Sequence, residues 1–390
     1  MRAAWETVKL DACCTKIGSG ATPRGGKEAY LDEGPFALVR SQNILDFFFS
    51  YNGLAFIDKA QADQLNNVEI KENDVLLNIT GDSVARVCQV PNSLLPARVN
   101  QHVSIIRPDE SKLTPEFLKY YLLNPKFKNH MLGLASVGGT RNALTKGMIE
   151  DFEIDLPPLD TQRNIVAILS TLDEKIELNR QTNQTLEAIA QALFKEWFVD
   201  FNFPGAAGEM QESELGPIPV GWKVGQLDDV LVLQRGFDLP ANTRISGKYP
   251  VIAASGPSGT HNEFKATGPG VVTGRSGVLG KAFFVHEDFW PLNTSLWIKE
   301  YKNSTPLFAF YLLQGLDLGS FNAGSAVPTL NRNHVHNLPV LLPPMEVIRS
   351  FGKLVMPLKK RQRVHEDETI SLITTRDALL PKLMNGEIVV

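Results

Sequence analysis

Leu156-Pro157-Pro158-Leu159-Asp160-Thr161-Gln162-Arg163-Asn164-Ile165 and Leu342-Pro343-Pro344-Met345-Glu346-Val347-Ile348-Arg349-Ser350-Phe351 are one passage written twice, 186 residues apart. Behind each Pro-Pro an apolar repeat begins with spacing 4-3-4-3. The first runs Ile165, Leu169, Leu172, Ile176, Asn179, Asn183, Leu186, Ala190, Leu193, Trp197. The second runs Phe351, Val355, Leu358, Gln362, His365, Thr369, Leu372, Arg376, Leu379, Leu383. A period of 3.5 residues is the seam of a paired helix rather than the stripe of a lone surface helix. Neither Pro nor Gly interrupts the first run; Pro357 lies in the second, which predicts that this helix starts or kinks there. The ends of both seams are largely apolar and the polar positions lie toward the middle. Antiparallel alignment centre to centre sets Asn179 near Thr369, Asn183 near His365, Trp197 near Phe351 and Ile165 near Leu383. Polar seam residues that meet fix register. A helix from Ile165 to Trp197 is about 50 Å long.

Other matches keep the same order along the chain. Trp5, Leu10 and Asp11 match Trp222, Leu227 and Asp228. Thr80-Gly81-x-Ser83 matches Thr273-Gly274-x-Ser276, and Asn100 matches Asn293. Tyr120-Tyr121-Leu122-Leu123 matches Phe310-Tyr311-Leu312-Leu313. Several short matches in one order indicate an internal duplication. Short apolar runs separated by Gly, Pro and Asn predict strands at 36–39, 74–79 and 103–106, and at 230–233, 270–272 and 295–298. A helix is predicted near Pro115–Leu123 and again near Pro306–Leu313. The expected architecture is α+β: two similar β-rich domains, residues 1–158 and 222–344, and a pair of long antiparallel helices, 159–203 and 345–390. Residues 204–221, rich in Gly and Pro, form the linker.

With 43% hydrophobic and 21% charged residues, the chain of 390 residues has mass for two or three cores. It contains no apolar run of 18 or more residues, and residues 1–10 lack the apolar core of a secretory signal, so no membrane contact and a cytoplasmic location are expected. Cys13, Cys14 and Cys88 make neither a Cys-x-x-Cys pair nor a disulfide frame. The net charge is −4. Residues 151–205 hold 4 basic and 10 acidic side chains, against 17 and 16 in residues 1–150. Any nucleic-acid contact therefore comes from a local stripe rather than a polycationic surface.

Catalytic motifs do not survive scrutiny. Gly18-Ser19-Gly20 is a lone turn. Gly274 to Lys281 has five residues between its outer glycines where a phosphate loop has four, and no Ser or Thr follows the lysine. Neither Leu-Pro-Pro carries the Asn or Asp that an amino-methyltransferase needs before its prolines. Asp63, Glu69 and Lys71 fit a nuclease pattern only loosely, and His334-x-His336 reads as a satisfied loop pair. What recurs in both copies is glycine-flanked polar loops: Thr80, Gly81, Ser83 and Arg86, with Thr273, Gly274, Arg275 and Ser276; Asn100 and Gln101, with Asn293 and Thr294; Thr140, Arg141 and Asn142, with Thr329, Asn331 and Arg332. Arg reads guanine and Asn or Gln reads adenine in bidentate fashion, while Ser, Thr and backbone N–H groups hold phosphates. Glycine lets a backbone approach closely.

The passage Leu144-Thr145 through Leu169, with Phe194-Lys195-Glu196-Trp197-Phe198-Val199-Asp200-Phe201 and Leu215-Gly216-Pro217-Ile218-Pro219-Val220-Gly221-Trp222, resembles the specificity subunits of type I restriction–modification systems. The second copy departs from that pattern by carrying Val347 where the first carries Gln162. The resemblance implies a non-catalytic subunit. It reads a split target in double-stranded DNA and works with two methyltransferase subunits and a motor-nuclease subunit. S-adenosylmethionine, ATP and Mg would bind those partners, leaving no cofactor and no metal on this chain. A self-contained DNA methyltransferase or nuclease, and a protein-only scaffold, are the alternative readings.

Overall fold

The computed structural model describes residues 5–136, 142–320 and 329–390. They form two compact units, Met1–Asn179 with Asp367–Val390, and Arg180–Glu366.

The first unit contains strands β1 (Glu6–Lys9), β2 (Cys14–Ser19), β3 (Phe36–Val39), β4 (Ala55–Ile57), β5 (Glu69–Ile70), β6 (Val75–Asn78), β7 (Val87–Gln89), β8 (Ala97–Val99), β9 (Val103–Pro108) and β10 (Glu153–Leu156). Its helices are α1 (Lys59–Gln64), α2 (Pro115–Leu123), α3 (Pro125–Ser136), α4 (Lys146–Glu150) and the first half of α5 (Leu159–Phe198). Two four-stranded sheets, β2-β9-β6-β7 and β4-β3-β8-β5, pack face to face, and β1 pairs with β10. Leu76, Val103 and Ile105 point into the layer between the sheets, with Leu38 and Val39. Val75, Leu77 and Ile106 point the other way, onto Phe117, Tyr120 and Tyr121 of α2. A sheet covered on both faces explains why Val75-Leu76-Leu77 is unbroken rather than alternating.

The second unit repeats the central sheet of this plan and has a three-stranded second sheet. Its elements are the second half of α5, β11 (Met210–Gln211), β12 (Ile218–Pro219), β13 (Lys223–Gln226), α6 (Leu227–Val230), β14 (Leu231–Arg235), β15 (Tyr249–Ala253), β16 (Gly256–His261), β17 (Gly270–Gly274), β18 (Ala282–Val285), β19 (Trp290–Pro291), β20 (Ser295–Tyr301), α7 (Pro306–Gly315), α8 (Arg332–His336), β21 (Pro339–Leu342) and α9 (Met345–Met384) as far as Glu366, the rest of α9 belonging to the first unit. The order β14-β20-β17-β18 reproduces β2-β9-β6-β7, and β13 with β21 reproduces β1 with β10. Each unit even keeps one parallel pair, β3 with β8 and β15 with β19. Val230, expected to begin a strand, closes α6 instead. Gln226 and Asp229 form a capping box there, the Gln226 backbone N–H donating to Asp229 Oδ2 at 2.9 Å.

Within each unit α5 and α9 run antiparallel. In the first, Asn179 donates to Thr369 Oγ1 (3.4 Å) and to Glu368 (2.9 Å), and Ile165 shares a core with Leu383. In the second, Asn183 Oδ1 lies 2.9 Å from His365 Nδ1, and the Trp197 and Phe351 rings meet edge to face at 5.9 Å. Asn183 and Gln362 also exchange side-chain-to-backbone hydrogen bonds of 3.1 and 2.9 Å. The seam positions Leu172, Ile176, Leu186, Leu193, Leu358, Thr369, Leu372 and Leu379 are half-buried, while Leu169 and Val355 are fully buried.

Three local expectations are corrected. The last helix does not start at Pro357 but runs through it from Met345, because Ile348, Phe351 and Val355, all without solvent contact, hold the turns before it. One missing N–H is outweighed by that burial. The first helix ends at Phe198, not 203: Phe201 takes a positive φ of 64°, and Phe201 and Phe203 turn back onto Trp222. Finally, Ile348 rather than Val347 stands where Gln162 does, since Gln162 N–H donates to Pro158 O and Ile348 N–H to Pro344 O.

Candidate nucleic-acid interface

In each unit three segments meet beyond one end of the central sheet: the tip of a hairpin, the turn entering the long strand, and the chain leading to the short helix before the Pro-Pro. In the first unit the hairpin joins β6 to β7. Ile79 N–H donates to His102 O (3.0 Å), Leu144 N–H to Ile79 O (2.8 Å) and Gly81 N–H to Asn142 O (3.0 Å), with Thr80 bridged to Ala143. In the second the hairpin joins β17 to β18. Arg275 N–H donates to Thr294 O (2.9 Å), Leu330 N–H to Arg275 O (2.8 Å), and Ser276 is bridged to Thr329.

This pattern corrects the sequence alignment of the loops. Thr80-Gly81 corresponds to Ser276-Gly277, not to Thr273-Gly274. Gly81 (φ 73°) and Gly277 (φ 89°) share the left-handed conformation that a side chain resists. Asn100 corresponds to Leu292, and Gln101 to Asn293: Val103 N–H donates to Asn100 O as Ser295 N–H does to Leu292 O. The neighbouring crossing obeys the same frame. A Cβ on Gly20 would fall 1.8 Å from Val99 O and 2.8 Å from Asn100 O, and one on Gly236 would fall 2.5 Å from Pro291 O and 2.2 Å from Leu292 O, so both positions require glycine.

The first unit thus brings together Thr80, Gly81, Ser83 and Arg86 on one hairpin, with Gln101 and Asn142 beside them. Thr80 Oγ1 lies 2.6 Å from His102 Nδ1, and Gln101 Nε2 lies 2.9 Å from His102 Nε2. Asn100 is buried, and its Oδ1 accepts from His102 N–H at 3.0 Å, so it shapes the turn. Thr140 and Arg141 lie outside the described residues.

The second unit brings together Arg275, Ser276, Asn293, Thr294 and Thr329. Arg275 Nη1 donates to Asn293 O at 3.3 Å, and Asn293 Nδ2 donates to Asp238. Thr273 and Gly274 are fully buried; the Thr273 hydroxyl donates to Lys281 O at 2.8 Å, and a Cβ on Gly274 would strike Val278 O. Both serve the hairpin. The stretch Gly274–Lys281 leads into strand β18, where a phosphate loop would lead into a helix. Asn331 caps α8 by accepting from Asn333 N–H (3.0 Å), which leaves Arg332 exposed on its first turn. His336 Nε2 accepts from Leu233 N–H at 2.9 Å, and burial holds its pKa below the ordinary histidine value. Among the described residues no group of three or more His, Cys, Asp or Glu is placed to hold a metal ion, and no helix is long and apolar enough to cross a membrane.

Sequence reading missed His102 and Asp238. No motif marks them; each becomes visible only through the side chain that it holds.

Comparison with known proteins gives a consistent picture. The family model described as type I restriction modification DNA specificity domain matches residues 3–188 and 219–354. The chain is 27% identical to the MjaIX type I restriction enzyme specificity subunit of Methanocaldococcus jannaschii, over 98% of this chain and 93% of that one. It is 35% identical to the HindI specificity subunit of Haemophilus influenzae over 46% of this chain and 36% of that one. Among solved structures, the type I restriction-modification S subunit from M. genitalium has the same fold, with a TM-score of 0.63 at 17% identity, covering 97% of this chain and 96% of the other.

Proposed function

The chain belongs to the family of type I restriction–modification DNA specificity domains, and from that premise we propose that its two domains each read one half of a bipartite DNA target and direct partner methyltransferase and restriction subunits to it. The observation that carries this reading is the repeated junction of hairpin, turn and pre-helix chain. One backbone framework, held by equivalent hydrogen bonds in both units, presents different polar side chains: Thr80, Arg86, Gln101 and Asn142 in one, Arg275, Ser276, Asn293 and Arg332 in the other. A constant frame with variable tips suits two half-sites of different sequence.

The chain acts without chemistry of its own, and S-adenosylmethionine, ATP and Mg bind the partners. The long helices suit the docking of two methyltransferase subunits. Leu178, Ile189, Leu354, Val364 and Ile370 are 44–61% exposed on them, apolar side chains that a docked subunit could cover. The complex works in the cytoplasm, where its DNA is.

The test is a selection from randomised duplex DNA on the assembled complex. Arg86→Ala is expected to relax one half-site only, and Arg275→Ala or Arg332→Ala the other. Each would lose about 1–3 kcal/mol of discrimination. Equal weakening of both half-sites by either set, or no change from either, contradicts the assignment.

A further inference from the structure

We propose that His102 is a positioning residue for base recognition in the first domain, setting the hydrogen-bonding faces that Thr80 and Gln101 present together. The inference rests on the reading of these loops as the DNA interface.

The backbone of His102 is fixed from two sides. Its carbonyl accepts from Ile79 N–H at 3.0 Å and its N–H donates to Asn100 Oδ1 at 3.0 Å. The ring therefore stands at a set place between two candidate readers, with Nδ1 2.6 Å from Thr80 Oγ1 and Nε2 2.9 Å from Gln101 Nε2. With the Gln101 amide turned this way its nitrogen donates and His102 Nε2 accepts, the arrangement in which a neutral ring keeps its proton on Nδ1 and donates it to Thr80 Oγ1. Two consequences follow. The Thr80 hydroxyl hydrogen is turned away from the ring, as a donor to whatever lies beyond. Gln101 Oε1, turned from the ring, is buried and has no hydrogen-bond partner among the described residues. Moving the ring proton to Nε2 inverts both faces at once: Thr80 donates inward, and the Gln101 amide turns its NH2 group outward. One imidazole thus couples the donor and acceptor pattern of two side chains. The second domain tethers the counterpart of Gln101 differently, Asn293 donating to Asp238, while Thr294 occupies the station of His102.

Three substitutions separate this role from a merely structural one. His102→Phe keeps a ring and removes both contacts. His102→Asn places a polar atom where Nδ1 stands, and His102→Gln places one nearer Nε2. The full chain, assembled with its methyltransferase subunits, is challenged with a randomised duplex pool, and Thr80→Val and Gln101→Ala locate the base positions that each side chain governs. His102→Phe is expected to reduce base preference about tenfold at both positions. His102→Asn should restore the Thr80 position and His102→Gln the Gln101 position, with the second half-site and the spacer unchanged. Should the phenylalanine variant fail to fold, the split between Asn and Gln carries the test alone. If Thr80→Val and Gln101→Ala change base preference while the foldable His102 variants keep it, or weaken all sequences uniformly, the positioning role is overturned. If Thr80→Val and Gln101→Ala change nothing, the interface reading itself falls and the proposal with it.

Discussion

A histidine that accepts a backbone hydrogen bond must stay neutral, and His336 is such a residue. Its Nε2 takes the Leu233 N–H, burial lowers its pKa, and Asp228, with Oδ1 3.8 Å from Nδ1, opposes that shift only in part. A histidine whose folded pKa lies below its unfolded value of about 6.5 binds fewer protons when folded. Its contribution to stability is present above that pH and is lost as pH falls through the depressed value. The urea midpoint of the chain is therefore expected to drop between pH 7 and pH 5, and His336→Gln should flatten that slope; parallel slopes for the two proteins would show that His336 is not the titrating group. The same scale shows where sequence reading stopped. Letters matched at Thr80-Gly81 and Thr273-Gly274, yet the backbone repeats at Thr80-Gly81 and Ser276-Gly277. What duplication conserves in these loops is the hydrogen-bond frame, which a single sequence does not display. Thr273 and Asn100 looked like readers because polar residues near glycine do so, but both spend their side chains on their own hairpin and turn.

Elements were far more legible than loops. The helices Pro115–Leu123 and Pro306–Gly315 follow from proline at the first helical turn and apolar residues behind it. The antiparallel pairing of α5 and α9 was readable because polar seam positions cluster at the centre, and a polar residue in a seam needs a polar partner. Pro357 misled because local propensity yields to three buried turns ahead of it. Gln162 shows the opposite case, an element fixed by one polar side chain. Fully buried, it accepts from Thr114 N–H (2.8 Å) and donates to Lys112 O and Pro157 O (both 2.9 Å), fastening the start of α5 to the chain before α2. Gln162→Ala strands those groups and is expected to cost about 1–3 kcal/mol in urea denaturation. A cost near zero would mean that the start of α5 is held without it. The second copy replaces this fastening with Ile348, buried among Phe351 and Val355, so the same joint is made once by hydrogen bonds and once by apolar packing.

At the scale of the whole molecule, duplication made the fold readable. Two copies of one topology follow from one repeated passage, and the strand order of the second sheet reproduces the first despite loops of different length. Beyond the fold, we propose that the paired helices set the separation of the two half-sites. Inserting seven residues after Asn183 and seven after His365 keeps both seams in phase and lengthens the pair by about 10 Å, at roughly 1.5 Å per residue. On B-DNA that is roughly three base pairs, at about 3.4 Å each, with about a third of a turn to be absorbed by DNA twist or the domain joints. The direct measurement is a selection with randomised spacer length on the complex carrying both insertions, with helicity checked by circular dichroism. The account predicts unchanged half-site sequences and a preferred spacer longer by about three base pairs, at reduced affinity; a preferred spacer that stays where it was while the inserts are helical would contradict it.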